Sequence, residues 1–398
     1  MRGVRELLSC FQRGRLVRPS AEVLNFVDLV RAVLHLAGAE GIELGRGAAE
    51  LAAGIGPAEH YVLILIDGMG MDLLARLPAE GFLRSHLTGQ LQSVFPSTTA
   101  TALTALATAQ WPCAHGVPGW WTYLERFHVS ATTLPFVERF TGRPLDRFGV
   151  RAEDLYPVPS LWSGLKHAPV SVVPARIADS VFNRYASGRT PQAGYAAISE
   201  AIAAIRDRLT QAAQPTLTYL YLPQIDSLCH KKGTGHQAVA DLLASLERQL
   251  AELAGGLAGR ARVVVTADHG FLDAPGDSRF ILTEDDELVS ELVCPPTGDP
   301  TVPIFHVRPG REEAFVQGFA GRFGEAFALI APEEAETLRL FGPEPPSPVL
   351  RRRLGSFVGI AVQPAAIYYQ PAGEQAHVHA AVHAGLSRNE MLIPLILA

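Results

Sequence analysis

Basic residues, cysteine and long apolar runs are all scarce in this sequence. The 34 lysines and arginines are outnumbered by 40 aspartates and glutamates, giving a formal net charge of −6. A broad basic face for a nucleic-acid duplex is therefore not expected. The four cysteines, Cys10, Cys113, Cys229 and Cys294, make neither a CxxC pair nor zinc-finger spacing, and such sparse use fits a reducing compartment. The N-terminal MRGVRELLSCFQRGRL has no apolar core followed by a small-residue cleavage site, so no secretory signal is expected. Residues 24–37 are the most apolar early stretch, but Asn25, Asp28, Arg31 and His35 interrupt it. That is too short and too polar to span a bilayer. A cytoplasmic protein with no membrane association is the expectation. No GxxxxGK[ST] occurs, and Gly68-Met69-Gly70 lacks the third glycine of a dinucleotide fingerprint.

What is present is core-forming sequence. Apolar residues make up 48% of the chain and charged residues 19%, a globular balance. Val27, Val30, Val33 and Leu34 recur at helical spacing within residues 1–58. YVLILI at 61–66 is then a continuous apolar run ending in Asp67-Gly68, the pattern of a strand buried on both faces. Residues 170–173, TLTYLYL at 216–222 and RVVVT at 262–266 resemble it. Helical stretches lie between them, including 236–257 with Val239, Leu242, Leu243, Leu246 and Leu250 on one face. This alternation predicts an α/β fold: a central, mostly parallel sheet flanked by helices on both faces. Residues 275–376 differ, being rich in proline and carrying the run Arg351-Arg352-Arg353. They read as an inserted, cap-like subdomain, and the arginine run as a solvated face or a salt-bridge patch. The expected organisation is a helical N-terminal segment at 1–58, a catalytic core at 59–274 and 377–398, and the insertion at 275–376.

The acidic and imidazole residues fall at strand ends. Asp67 closes the first core strand, Asp226 and His230 follow the 216–222 strand, and Asp268-His269 follow 262–266. In doubly wound sheets, ligands bind beyond the carboxyl ends of the strands. Spacing i, i+4 puts Asp226 and His230 on one face of a helical turn. One such aspartate is an ordinary turn or cap residue. Three strand ends delivering carboxylate and imidazole together point to a divalent metal. A second element, SVFPSTTATALTALAT at 93–108, reads as a strand-like SVF, a turn at Pro96, and a helix headed by Ser97, Thr98 and Thr99. Amides at a helix head attract phosphate, and a cation can activate a hydroxyl there. Without the metal ligands, the same hydroxyls would be a plain cap.

These residues resemble a known family. LILIDGMG, FPSTTATALTALATAQWPCAHG, LPQIDSLCHKKG, VTADHG and HAGLSRNEMLIPLIL occur in the order of the alkaline phosphatase superfamily, in its type I phosphodiesterase/nucleotide pyrophosphatase branch, across residues 61–398. The resemblance implies a metallohydrolase core with two divalent ions, zinc first, with manganese or iron also fitting the ligands. It implies Asp226, His230 and His383 on one metal, and Asp67, Asp268 and His269 on the other, which also holds Thr99. Thr99 matches the nucleophile, and a small phosphorylated substrate follows. His383 is chosen over His377 and His379 because HAGLS resembles the family's His-Gly-Gly-Leu-Ser. The two neighbours are read as surface or supporting residues, His115 as structural, and His236 is given no role.

One departure stands out. Where many members of the branch place an asparagine after the His-Gly pair, this chain has Trp120. An indole offers one donor and no matching amide geometry, so either the oxyanion site is altered or another donor replaces the amide. Trp120, with Trp121, is read as a substrate wall, with packing as the expected use of at least one of the two. Phosphomonoesterase and phosphonate hydrolase chemistries remain open. A sulfatase would need Cys-x-Pro-x-Arg, and Cys113 sits in CAHGV. Phosphoglycerate mutases use serine, which only Ser97 offers. From another class, a non-catalytic, metal-stabilised binding protein rests on Trp120 alone.

Overall fold

The computed structural model describes residues 2–398. The central sheet has seven strands in the order Leu87–Gln92, Leu392–Leu397, Arg262–Thr266, His60–Ile66, Thr216–Leu222, Ala168–Pro174 and Gln192–Tyr195. The four apolar runs read from sequence occupy its middle and pair in parallel. Every residue of Thr216–Leu222 is buried, as is His60–Ile66 from Tyr61 onward, as two helix-covered faces require. The sheet is thus mostly parallel and flanked by helices. Its exception is Leu392–Leu397, which lies antiparallel between Leu87–Gln92 and Arg262–Thr266.

The SVF stretch is not a strand. The strand is Leu87–Gln92, immediately before it. Residues 93–97 instead bond to the C-terminal segment, Ser93 N–H to Met391 O at 2.7 Å and Ser97 N–H to Ala384 O at 3.0 Å. The helix Thr99–Thr108 follows, and all ten of its residues are buried. Its internal threonines satisfy their hydroxyls on carbonyls: Thr101 on Val117, Thr104 on Ala100, and Thr108 on Thr104.

A second seven-stranded sheet runs Phe327–Ile330, Phe357–Ala361, Val302–Phe305, Thr297–Asp299, Trp121–Leu124, Val129–Thr132 and Val137–Glu138. Its pairings are antiparallel. It draws on residues 121–138 as well as 297–361, joined where Gly298 pairs with Trp121. Phe305, Phe315, Phe319, Phe323 and Phe327 form its own apolar cluster. The N-terminal segment holds three helices, Arg2–Gln12, Phe26–Leu36 and Arg46–Ile55.

The arginine run departs from the solvated reading. Arg351 does pair with Glu336 at 2.9 Å. Arg353 is buried instead, and donates to the carbonyls of Gly116 (2.5 Å), Leu155 (3.0 Å) and Asp154 (2.6 Å). Three carbonyls without a side-chain carboxylate bond make it a structural brace that ties Gly116 to residues 154–155. All four cysteines are free. Among the described residues, no helix is long and apolar enough to cross a membrane.

Candidate active site

The strand ends bring the expected side chains together. Asp67 leaves His60–Ile66, and the chain can turn at once because Gly68 has φ +75°. A Cβ on Gly68 would lie 2.3 Å from the Phe271 ring, so the turn requires glycine. Asp226 and His230 sit on the helix Gln224–Lys232, with Asp226 Oδ1 and His230 Nε2 3.2 Å apart. His383 Nε2 lies 3.2 Å from His230 Nε2 and 3.7 Å from Asp226 Oδ1. On the other side, His269 Nε2 lies 3.3 Å from Asp67 Oδ1 and 3.5 Å from Asp268 Oδ2. The His269 and His383 rings stack at 3.7 Å between centroids, which joins the two halves. Thr99, at the head of its helix, has Oγ1 3.1 Å from His269 Nε2 and 3.5 Å from Asp67 Oδ1.

The imidazoles are oriented alike. Nδ1 faces a backbone carbonyl in each: His230 to Ala381 at 2.8 Å, His269 to Gly270 at 3.0 Å, and His383 to Ser97 at 3.2 Å. Donation there leaves Nε2 as the ring nitrogen presented to the cluster, the tautomer inferred from its partner. The carboxylates are fixed in the same way. Asp67 Oδ2 accepts from the Tyr221 hydroxyl. Asp268 Oδ1 accepts from the amides of Gly68 (3.1 Å) and His269 (3.0 Å). Asp226 Oδ1 and Asp268 Oδ2 are buried without a hydrogen-bond partner. Buried acceptors left open cost free energy unless something fills them.

The electrostatics agree. Burial, with the neighbouring Asp268 and Asp226 carboxylates, pushes Asp67 well above the usual carboxyl range. Burial also pushes Asp268 up. For His269, burial opposes the charged ring, but Asp268 and Asp67 outweigh it and push the imidazole up to about 10. Side chains alone would thus have to trap protons between acid and imidazole. Inward Nε2 atoms and open carboxylate oxygens fit divalent cations, which would displace those protons. Two groups have ligand atoms near enough to share an ion: Asp67, Asp268 and His269, and Asp226, His269 and His383. His230 Nε2 stands within 3.2 Å of both Asp226 and His383.

The site opens into a cleft of about 300 Å³ lined by Thr99, Asp226, His230 and His383, and by Trp120, Trp121, Asp299 and Pro300 of the second sheet and its loops. His377 and His379 line it too, and His379 lies 4.2 Å from the His230 ring. His115 is buried and does not line this cleft, its Nδ1 accepting from the Val117 amide at 3.2 Å. Burial, then the Arg353 charge, pushes His115 down to about 3. His236 caps the helix Gln237–Leu257.

Sequence reasoning missed two participants. Tyr221 is hidden in TLTYLYL, where a tyrosine reads as apolar core. Asp299 lies in Gly-Asp-Pro, which reads as a turn. Its carboxyl is buried, accepting from Thr98 Oγ1 and the Trp120 amide, both at 3.1 Å.

Known proteins bear on this arrangement. Murine ectonucleotide pyrophosphatase/phosphodiesterase 5 superposes with a TM-score of 0.64 at 16% identity, covering 84% of this chain and 87% of that one. The human protein superposes with a TM-score of 0.64 at 15% identity, covering 85% and 87%. Phosphonoacetate hydrolase from Sinorhizobium meliloti 1021, in complex with phosphonoformate, gives a TM-score of 0.57 at 19% identity, covering 84% and 89%. These likenesses establish the fold. No curated protein matches by sequence. The family profile described as Type I phosphodiesterase / nucleotide pyrophosphatase matches residues 61–317, well over half of the chain, and the protein belongs to that family of the alkaline phosphatase superfamily.

Proposed function

We propose that the protein is a metal-dependent phosphodiesterase that uses Thr99 as its nucleophile. The observation that carries this is the Thr99 hydroxyl, 3.1 Å from His269 Nε2 and 3.5 Å from Asp67 Oδ1, at the head of a helix that opens on the cleft. Asp226, His230 and His383 would hold one divalent cation, and Asp67, Asp268, His269 and Thr99 the other. Zinc suits this carboxylate and imidazole set, as do manganese and iron. Bound cations supply charge that lowers the pKa of a hydroxyl and neutralises phosphoryl oxygens.

The chain supplies the rest. Thr99 Oγ gives up its proton to solvent and attacks phosphorus, the bond to the ester's leaving oxygen breaks, and a threonine phosphodiester that keeps the substrate's other ester group forms. Water then cleaves the threonine–phosphorus ester, releasing the monoester and returning the hydroxyl. Helix-head amides face the negative charge that develops on phosphorus. Trp120 and Trp121 line one side of the cleft and give the leaving group an apolar wall. The family's asparagine amide is replaced at Trp120, so specificity is expected to differ from that of nucleotide pyrophosphatases.

A nitrophenyl nucleotide diester and the matching monoester, tested with zinc or manganese, examine this reading. The diester is expected to turn over faster. Thr99→Ala should lower kcat by about 10³-fold or more while both ions stay bound. A variant that kept its rate would remove Thr99 from the mechanism. Preference for the monoester would make the protein a phosphatase. Inertness to both esters with two ions bound would favour a phosphonate substrate or a binding role.

A further inference from the structure

Thr98 is the N-cap of the nucleophile's helix, with the extended backbone of a cap (φ −135°, ψ 148°), yet its side chain makes no capping bond. A threonine here ordinarily accepts an amide of the first turn. The neighbouring hydroxyls do not cap either. Ser97 Oγ donates to Gly385 O at 2.8 Å, and Thr99 Oγ1 faces His269. The ladder of the helix begins only with Ala102 N–H to Thr98 O. What holds the Thr98 hydroxyl away is Asp299 Oδ1, at 3.1 Å.

We propose that Asp299 is a positioning residue for Thr99: it draws the Thr98 hydroxyl off the helix head and so leaves the first amides of that helix open to a phosphoryl oxygen. This rests on the reading of Thr99 as nucleophile.

The second sheet makes Asp299 a firm anchor. Its strand Thr297–Asp299 is buried and paired on both sides, with Val302–Phe305 and with Trp121. Asp299 Oδ2 accepts the Trp120 amide at 3.1 Å, so one carboxylate ties the cleft wall to the nucleophile's cap. The approach is close enough that a Cβ on Gly119 would lie 2.6 Å from Oδ2. Two residues on, Thr301 Oγ1 donates to His383 O at 2.6 Å. Residues 299–301 therefore grip both the helix head and the loop that carries His383.

A specific sign follows. In Asp299→Ala the freed Thr98 hydroxyl can turn and accept a helix-head amide, competing with substrate. Removing that hydroxyl as well should undo part of the damage, which a purely structural Asp299 would not allow. Diester kinetics on the metal-loaded enzyme are expected to show kcat lowered about 10²-fold in Asp299→Ala with KM within about twofold, as for loss of an oxyanion donor. The double variant Asp299→Ala/Thr98→Val should recover about tenfold of that loss, a non-additivity that marks coupled residues. Asp299→Asn, whose amide group can donate to Thr98 Oγ1 and whose oxygen can accept the Trp120 amide, should stay within about threefold of the parent; if the alanine variant does not fold, Asp299→Leu, similar in size and without a polar group, takes its place in the cycle with Thr98→Val. An Asp299→Ala enzyme of normal rate, a double variant no better than the single, or an asparagine variant as poor as alanine would each overturn the proposal. Thr99→Ala measured alongside keeps the two readings apart. If it stays active, the nucleophile is wrong. If it is dead while Asp299→Ala is normal, only the role of Asp299 fails.

Discussion

Asp67 can turn one oxygen toward the cluster because Tyr221 holds the other. That phenol is in turn placed by its strand, whose Tyr221 carbonyl accepts the Tyr195 hydroxyl at 2.7 Å. Partners of this kind set the angle and basicity of a metal ligand. Tyr221→Phe keeps the ring and deletes the bond. Metal affinity should fall about 10–100-fold, measured by competition against a chromogenic chelator. Unchanged affinity would mean that the backbone alone fixes Asp67. At this scale the sequence was most informative for the proposed ligands themselves, because an aspartate after an apolar run has few reasons to be there. Their supporters were hidden. Tyr221 reads as core, and Asp299 looks like a turn until its strand is paired across the sheet.

Among the elements, the parallel strands were readable because burial on both faces forces an unbroken apolar run. Leu87–Gln92 was not, since LTGQLQ is a half-exposed edge in which Thr88 and Gln90 face solvent and only Leu91 is fully buried. Nor does composition say that Leu392–Leu397 runs against its neighbours. The helix Phe26–Leu36 carries a different lesson. Its cap, Asn25, accepts the Asp28 amide at 2.9 Å and donates to Asp28 Oδ2 at 2.5 Å. Burial pushes the Asp28 carboxyl up to about 6, with the Arg31 charge opposing. A carboxyl raised on folding stabilises the fold fully below its unfolded value, roughly pH 4, and loses that contribution as pH rises through 6. Asp28→Asn cannot titrate. Thermal melts from pH 4 to pH 7 should therefore show the parent falling relative to the variant. A constant difference across that range would mean that Asp28 keeps an ordinary pKa in the folded protein.

At the scale of the whole molecule, the cleft joins two sheets. Helices that follow strands of the central one supply Thr99, Asp226 and His230, and the other supplies Trp121 and Asp299. The second sheet is itself closed where Gly298 meets Trp121, a pairing between distant parts of the chain that no local pattern encodes. The same convergence drives Asp67, Asp226 and Asp268 together in a buried space. Such crowding is tolerable when cations sit among the carboxylates, and costly when protons must replace them. Chelation should therefore lower the melting temperature, and added zinc or manganese should restore it with concentration, by about 2.7 kcal/mol at a hundredfold excess over Kd. Because burial raises Asp67 and Asp268 in the metal-free chain, that chain must give up protons as pH rises and weakens, while deprotonated ligands bind metal better. The gap between loaded and chelated protein should widen from pH 6 to pH 8. Calorimetry at both pH values decides it: a melting temperature indifferent to chelation would mean that these carboxylates are compensated from within the fold, and the two-ion reading of the site would fall with it.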